Sequence, residues 1–201
     1  VSHELRSPLA RMQLLIAMVP EHKNIVKLKE EIDFIEGMIN NLLLSDRLSL
    51  PYSKLDIKKH TTHEIINKVI DMFPTKCQKI KIDNHIPNEK VHVDDTKFIL
   101  ALRNLIDNAF KYNRDNEDVE LIIRKNYDIE FHIKDTGIGV SKENLQKLTT
   151  PFFQADQTVS TKGFGLGLTI CKKIIEAHNG QIVIESEEGK GSTFILHLPS
   201  N

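Results

Sequence analysis

Apolar residues in the first fifty positions recur at helical intervals. Leu5, Leu9, Met12, Ile16 and Val19 are spaced 4, 3, 4 and 3 apart, and Ile25, Leu28, Ile32, Ile35, Ile39 and Leu42 are spaced 3, 4, 3, 4 and 3. Both series are seams along which one helix packs on another, and they predict helices over 1–19 and 25–50. The stretch between them, 20–24, is short and polar, so the helices are expected as antiparallel neighbours. A two-helix hairpin cannot cover both of its apolar faces. Two copies joined as a four-helix bundle can, so a homodimer is expected.

The seam fails at 47–54, where Pro51 stops a helix, and a domain boundary is expected there, giving domains 1–50 and 51–201. The second domain mixes both periods. Helical spacing covers 61–73, with Ile65, Ile66, Val69 and Met72 on one face. It covers 95–113, with Phe98, Leu102, Leu105, Ile106 and Ala109, and also 166–178, closed by an Asn179-Gly180 cap. Alternation predicts strands over 79–86, 90–93, 118–124, 127–134, 181–187 and 192–198. The expected class is α+β: an N-terminal helical hairpin followed by a two-layer α/β sandwich.

Composition narrows the function. With 27 basic and 28 acidic residues in 201 the formal net charge is -1, which provides no electrostatic footprint for nucleic acid or an anionic membrane surface. Cys77 and Cys171 form no CxxC pair, which suits a reducing, cytoplasmic setting and implies neither a disulfide framework nor a zinc site. No apolar run reaches the ~18 residues that span a bilayer. The chain opens on Val1 with a dense motif immediately behind it, and reads as a fragment whose upstream part has been removed.

Four motifs carry candidate chemistry. His3-Glu4-Leu5-Arg6-Ser7-Pro8 pairs an imidazole, which can attack phosphorus, with a carboxylate that can take its proton. Pro8 should bend the helix just past the histidine. By itself the pair is equally a solvated His beside a Glu. Asn104, Asn108 and Lys111 share one face of the 95–113 helix. An amide oxygen is a suitable hard ligand for Mg²⁺ and a lysine suits phosphate, although a solvated polar face would look the same. Asp135-Thr136-Gly137-Ile138-Gly139 follows a strand. Its carboxylate could accept from an adenine amino group, or the segment could be an ordinary turn. Gly163-Phe164-Gly165-Leu166-Gly167-Leu168 leads into a helix, where backbone N–H groups suit phosphates. It is neither GxGxxG nor a P-loop. The polar stretch 149–162 between the last two motifs is read as a mobile lid.

In order and spacing these motifs resemble the sensor histidine kinases, whose ATP-binding domain belongs to the wider group shared with gyrase, a heat-shock chaperone and mismatch-repair ATPases (the GHKL type). HELRSPLA resembles the phosphoacceptor box, NLIDNAFKY the asparagine box and DTGIG the first glycine box. Pro151–Phe153 resembles the phenylalanine box and GFGLGL the second glycine box. The resemblance covers essentially the whole chain and implies ATP and Mg²⁺ as cofactors. It makes His3 the phosphoacceptor and Glu4 its general base. Asn108 becomes the metal ligand, with Asn104, Lys111 and Tyr112 lining the nucleotide site. Asp135 would hold the adenine amino group, with Thr193 nearby, and Gly137 and Gly139 would shape the pocket. Gly163, Gly165, Leu166 and Gly167 would approach the phosphates, with Lys162 assisting. The implied activity is autophosphorylation on His3 and relay to an aspartate of a response regulator receiver domain. The implied parent is membrane-anchored upstream, with this part in the cytoplasm.

Two departures bear on that expectation. Ser7 stands where the family usually has Thr or Asn, which orients water for removing phosphate from the partner; this puts phosphatase activity in doubt. Only Val1 and Ser2 precede His3, so the histidine would sit at a helix end. An ATP hydrolase of the same fold is a competing expectation, but 100–104 holds no acid to activate water. A signalling module without ATP binding is a third, set against motifs that all look intact.

Overall fold

The protein is represented by a computed structural model. It describes residues 12–16, 18, 25, 26, 28, 29, 32, 33, 35–40, 43, 55–114, 117–155 and 165–200. The chain separates into two compact units, Val1–Leu50 and Pro51–Asn201.

In the first unit, residues 12–16, 25–26, 28–29, 32–33, 35–40 and 43 are helical. Ile16 and Ile32 are buried, with Ile25 and Ile39 packed against them. All four are seam positions. Gln13 Nε2 donates to Glu36 Oε2 at 2.9 Å beside this cluster. Met12, Leu28 and Ile35 belong to the same seams yet are 50%, 50% and 40% exposed. A narrow helix-on-helix contact buries one stripe and leaves its flanks outside.

The second unit runs β1 (Lys58–Thr61), α1 (Thr62–Ile70), β2 (Ile80–Asn84), β3 (Lys90–Val93), α2 (Asp95–Tyr112), β4 (Val119–Lys125), β5 (Ile129–Lys134), α3 (Lys142–Leu145), α4 (Gly167–Ala177), β6 (Gln181–Glu187) and β7 (Gly191–Leu198). Five strands form one sheet in the order β2-β4-β5-β7-β6. Its β2–β4 pair is parallel and the rest are antiparallel. Strands β1 and β3 pair separately.

Alternation puts one face of the sheet in the core. Leu121, Ile133 and Phe194 align across β4, β5 and β7, as do Ile123, Phe131 and Leu196, and all six are buried. Helix α2 packs on β4 and β5, and α4 packs on β6, β7 and α2. Phe98 of α2 meets Phe131 of β5 edge-on, with ring centroids 5.1 Å apart.

Helix ends follow local chemistry. Thr61 and Glu64 form a reciprocal capping box at the start of α1. Asp94 caps α2 by accepting from the Lys97 N–H at 3.1 Å. Helix α4 closes with the bonds Asn179 N–H to Glu176 O and Gly180 N–H to Ile175 O, a Schellman motif in which Asn179 takes the left-handed conformation (φ 58°).

One local expectation changes and two short elements are added. Met72 lies beyond the end of α1 and is 44% exposed, so it does not extend the buried face. Strand β1 has no apolar alternation and exists through its partner β3. The four-residue helix α3 lies just ahead of the expected lid.

Candidate functional site

Helix α2 brings polar groups to the margin of the core. Asn104, Asn108 and Lys111 recur one turn apart and are half-buried, beside the fully buried Leu105, Ile106 and Ala109. A half-buried amide is costly without a partner. Asn104 has one in the Cys171 thiol of α4, which also reaches the Ala101 carbonyl at 3.4 Å. Burial, opposed by Asn104, pushes that thiol up to about 12. Cys171 therefore packs and hydrogen-bonds rather than acting as a nucleophile. Asn108 has no hydrogen-bond partner among the described residues. The Lys111 ammonium stands 4.8 Å from the centroid of the Tyr112 ring, which keeps a positive charge at this end of the helix.

The turn after β5 meets the same end of α2. Asp135 is 5% exposed. Its Oδ1 accepts from the Gly137 N–H at 2.9 Å and the Ser192 N–H at 3.1 Å, and its own N–H donates to the Ser192 carbonyl at 2.9 Å. Among the described residues no donor reaches Oδ2. Burial raises the carboxyl above its ordinary value, and the two N–H bonds oppose it. Gly137 is required by space: an added Cβ would lie 2.0 Å from the Tyr112 carbonyl oxygen. The next residue, Ile138, donates its N–H to that oxygen at 3.1 Å. Gly139 lies between Ile138, whose carbonyl accepts from Gly189, and Val140, whose N–H donates to the Ser186 hydroxyl. Thr193 pairs with Lys134 across β5 and β7, one residue from Asp135, and is half-buried.

The start of α4 joins the segment at Phe152. Gly165 has φ +63°, and a Cβ there would lie 2.6 Å from the Phe152 carbonyl carbon. Phe152 donates its N–H to the Gly165 carbonyl at 2.9 Å. Phe152 itself has φ 65°, a conformation rare for a bulky residue, and is 57% exposed. Leu166 is buried and accepts the first helical bond, from Ile170. It makes no side-chain cap, so the N–H groups of the first turn are not taken up by a capping side chain. Nothing lies within 4 Å of a Cβ added at Gly167.

Asp135, Gly137 and Tyr112 are thus directly joined, Thr193 neighbours Asp135, and Asn104 links α2 to α4. His3, Glu4, Ser7, Lys162, Gly163 and the second half of the expected lid, 156–162, lie outside the described residues. Sequence reasoning gave no role to Ser192, Asn113 or His178, each of which is defined by a bond to a residue remote in sequence. Among the described residues no group of three or more His, Cys, Asp or Glu side chains could hold a metal. A separate cavity of about 300 Å³ lies against α3, α4 and β6, lined by Leu145, Gln146, Thr149, Lys172, Ile182 and Ile184. None of these is a candidate residue.

Residues 93–201 match the family described as histidine kinase-, DNA gyrase B- and HSP90-like ATPase. Over 215 residues the chain is 31% identical to the sensor protein kinase WalK of Staphylococcus haemolyticus, covering 99% of this chain and 35% of that one. The chain therefore spans about a third of that relative's length. Among solved structures, full-length ShkA in complex with AMPPNP is 25% identical, with a TM-score of 0.82 over 98% of this chain and 44% of its own. A nucleotide-free catalytic domain of the histidine kinase ThkA is 28% identical, with a TM-score of 0.63 over 72% of this chain and 98% of its own.

Proposed function

Because this chain belongs to the family of histidine kinase-, DNA gyrase B- and HSP90-like ATPases, we propose that it is the catalytic core of a sensor histidine kinase. In this reading its second unit binds ATP, and its first carries the accepting histidine, His3. The observation that carries the reading is Asp135. A buried carboxylate has one oxygen fixed by two backbone N–H groups and no donor from the described residues on the other. That second oxygen suits the exocyclic amino group of adenine, a donor. Guanine presents a carbonyl oxygen at the same position and would meet acceptor with acceptor. Thr193, on the neighbouring strand, adds a hydroxyl at the base end.

The remaining groups fit a triphosphate. The first turn of α4, from Gly167, offers backbone N–H groups and the positive end of a helix dipole, and Gly163 and Gly165, just ahead of it in sequence, are proposed to approach the same phosphates. Lys111 and Lys162 supply charge, and Leu166, Tyr112 and Asn104 line the site. The half-buried amide of Asn108, without a partner among the described residues, fits Mg²⁺ through its oxygen. When bound, the ion would neutralise charge on the phosphate oxygens.

At the accepting end, the His3 imidazole attacks the γ-phosphorus. A P–N bond forms as the bond to the bridging oxygen breaks, ADP departs, and Glu4 takes the imidazole proton. The phosphohistidine then serves as donor to an aspartate of a response regulator receiver domain. Ser7 keeps a hydroxyl for orienting water in the reverse, phosphatase sense, without the methyl that stiffens threonine. The exposed Met12, Leu14, Leu15, Leu28 and Ile35 support a homodimer through the antiparallel hairpin. The linker at 47–54 would allow the two units to meet. The parent is proposed to be anchored in the membrane upstream, with this part on the cytoplasmic side.

The test is incubation of a dimeric, upstream-extended protein with γ-labelled ATP. Acid-labile phosphate should appear on the parent and be lost in His3→Gln. Equal labelling of both would remove His3 as the acceptor.

A further inference from the structure

Asp135 is held from β7 through Ser192, but its turn is also held from the opposite side. Asn113 stands directly after α2 in an extended conformation (φ -69°, ψ 162°). Its Oδ1 accepts from the Thr136 N–H at 3.1 Å, the Thr136 hydroxyl at 3.1 Å and the Arg114 N–H at 3.0 Å. Its Nδ2 donates to the carbonyls of Glu117 at 3.3 Å and Asp118 at 3.1 Å. One side chain thus joins three segments: the end of α2, the entry to β4 and the turn after β5. Both amide donors are engaged, and the acceptor oxygen, with two lone pairs, is shared among three donors, so no bonding capacity of the side chain is left over.

We propose that Asn113 is a positioning residue for base recognition, fixing the Asp135–Gly137 turn against the end of α2. This inference rests on the reading of Asp135 as the adenine acceptor. Thr136 separates Asp135 from Gly137, and the two bonds from Thr136 to Asn113 hold it on the α2 side. The neighbouring contacts act in the same direction: Ile138 donates to the Tyr112 carbonyl, and Gly137 has no room for a Cβ against that oxygen. The helix carrying Asn104, Asn108 and Lys111 therefore ends in a latch on the segment carrying the carboxylate. Through it, the phosphate end and the base end of the site keep a fixed separation. Without the latch the Ser192 bond remains, but the turn gains freedom on its outer side and the Oδ2 direction is no longer set.

The two faces of the amide can be tested separately. Asn113→Ala removes both. Asn113→Asp keeps an acceptor for Thr136 but sets a carboxylate against the Glu117 and Asp118 carbonyls. The full chain would be assayed for Mg·ATP and Mg·GTP affinity together with its melting temperature. With the parent preferring ATP, Asn113→Ala should lose roughly tenfold in ATP affinity, the equivalent of one to two hydrogen bonds, and most of its preference for ATP over GTP. Asn113→Asp should melt lower but retain the preference. A second variant, Thr136→Val, deletes only the hydroxyl bond and should weaken ATP binding a few-fold at an unchanged melting temperature. Parent-like preference in folded Asn113→Ala, or parent-like affinity in Thr136→Val, overturns the inference. So does a loss that tracks melting temperature equally in the Ala and Asp variants, which would mark a structural role alone. A parent with no preference between ATP and GTP would instead sink the reading of Asp135 itself.

Discussion

The backbone N–H of Asp94 donates to Nε2 of His178 at 2.9 Å, joining the start of α2 to the end of α4. The other ring nitrogen, Nδ1, faces the Ile174 carbonyl at 2.7 Å. These partners dictate a neutral imidazole with its proton on Nδ1, since Nε2 must accept. Burial depresses the histidine below its ordinary value of 6.5. The Ile174 carbonyl and the Asp94 carboxylate pull the other way, and the Lys97 ammonium pushes with burial.

The sign of the pH dependence follows. Below 6.5 the unfolded chain takes up a proton that folded His178 resists, so its stabilisation is complete above that pH and is lost as pH falls. Melting temperature should therefore drop as the pH is lowered from 7 towards 5. In His178→Gln that part of the drop should shrink, measured by circular dichroism across the range. An unchanged profile would mean that another group controls it.

Asp135→Asn should reverse the polarity of the base-reading oxygen. The two N–H groups on Oδ1 fix the amide oxygen there, which turns the new NH₂ towards the base. Preference for ATP over GTP should fall by at least about tenfold. Competition binding with both nucleotides measures it, and undiminished selectivity would mean the base is read elsewhere.

Asn108→Ala should separate metal from nucleotide. ATP affinity should fall roughly tenfold at millimolar magnesium, the scale of one lost ligand interaction. In excess chelator it should match the parent. Calorimetric titration under both conditions provides the comparison, and equal losses in the two would argue against a metal ligand.

Phe98→Ala tests the core beneath the site. Phe98 is fully buried against Phe131 and packs at 6.2 Å from the His178 ring. Truncation should cost about 3–5 kcal/mol of unfolding free energy, read from urea denaturation.

Long periodic elements were legible in the sequence and short or dependent ones were not. Helix α2 has 18 residues of unbroken 3-and-4 spacing, and its asparagine flank falls on the same period. Strands β3 and β6 occupy their expected bounds because alternation and turn residues delimit them. Lys58–Thr61 is strand only because β3 lies beside it, a fact absent from its own four residues. Met72 continues the spacing of α1 after the helix has ended, so periodicity overran the cap. At the site, Asp135 was visible through the glycines around it. Its half-satisfied carboxylate was not, because one of the two pinning N–H groups belongs to Ser192, 57 positions away. Asn113 reads locally as an ordinary helix-terminal asparagine, and its bonds to Thr136 span 23 positions. His178 carries no local pattern, and only its bonds to Asp94 and Ile174 reveal its fixed tautomer.

The sequestered sulfur of Cys171 has a practical consequence for watching this molecule at work. The sequence has two cysteines, and with Cys171 fully buried the half-buried Cys77 is the one open to a maleimide. Cys77 begins the tight turn after α1, next to Lys76, whose ammonium lies over the ring of Phe110 on α2. Phe110 in turn precedes Lys111. A fluorophore attached there would sit one residue from the Lys76 contact with Phe110, a place from which to follow that end of the asparagine-bearing helix without any engineered labelling site.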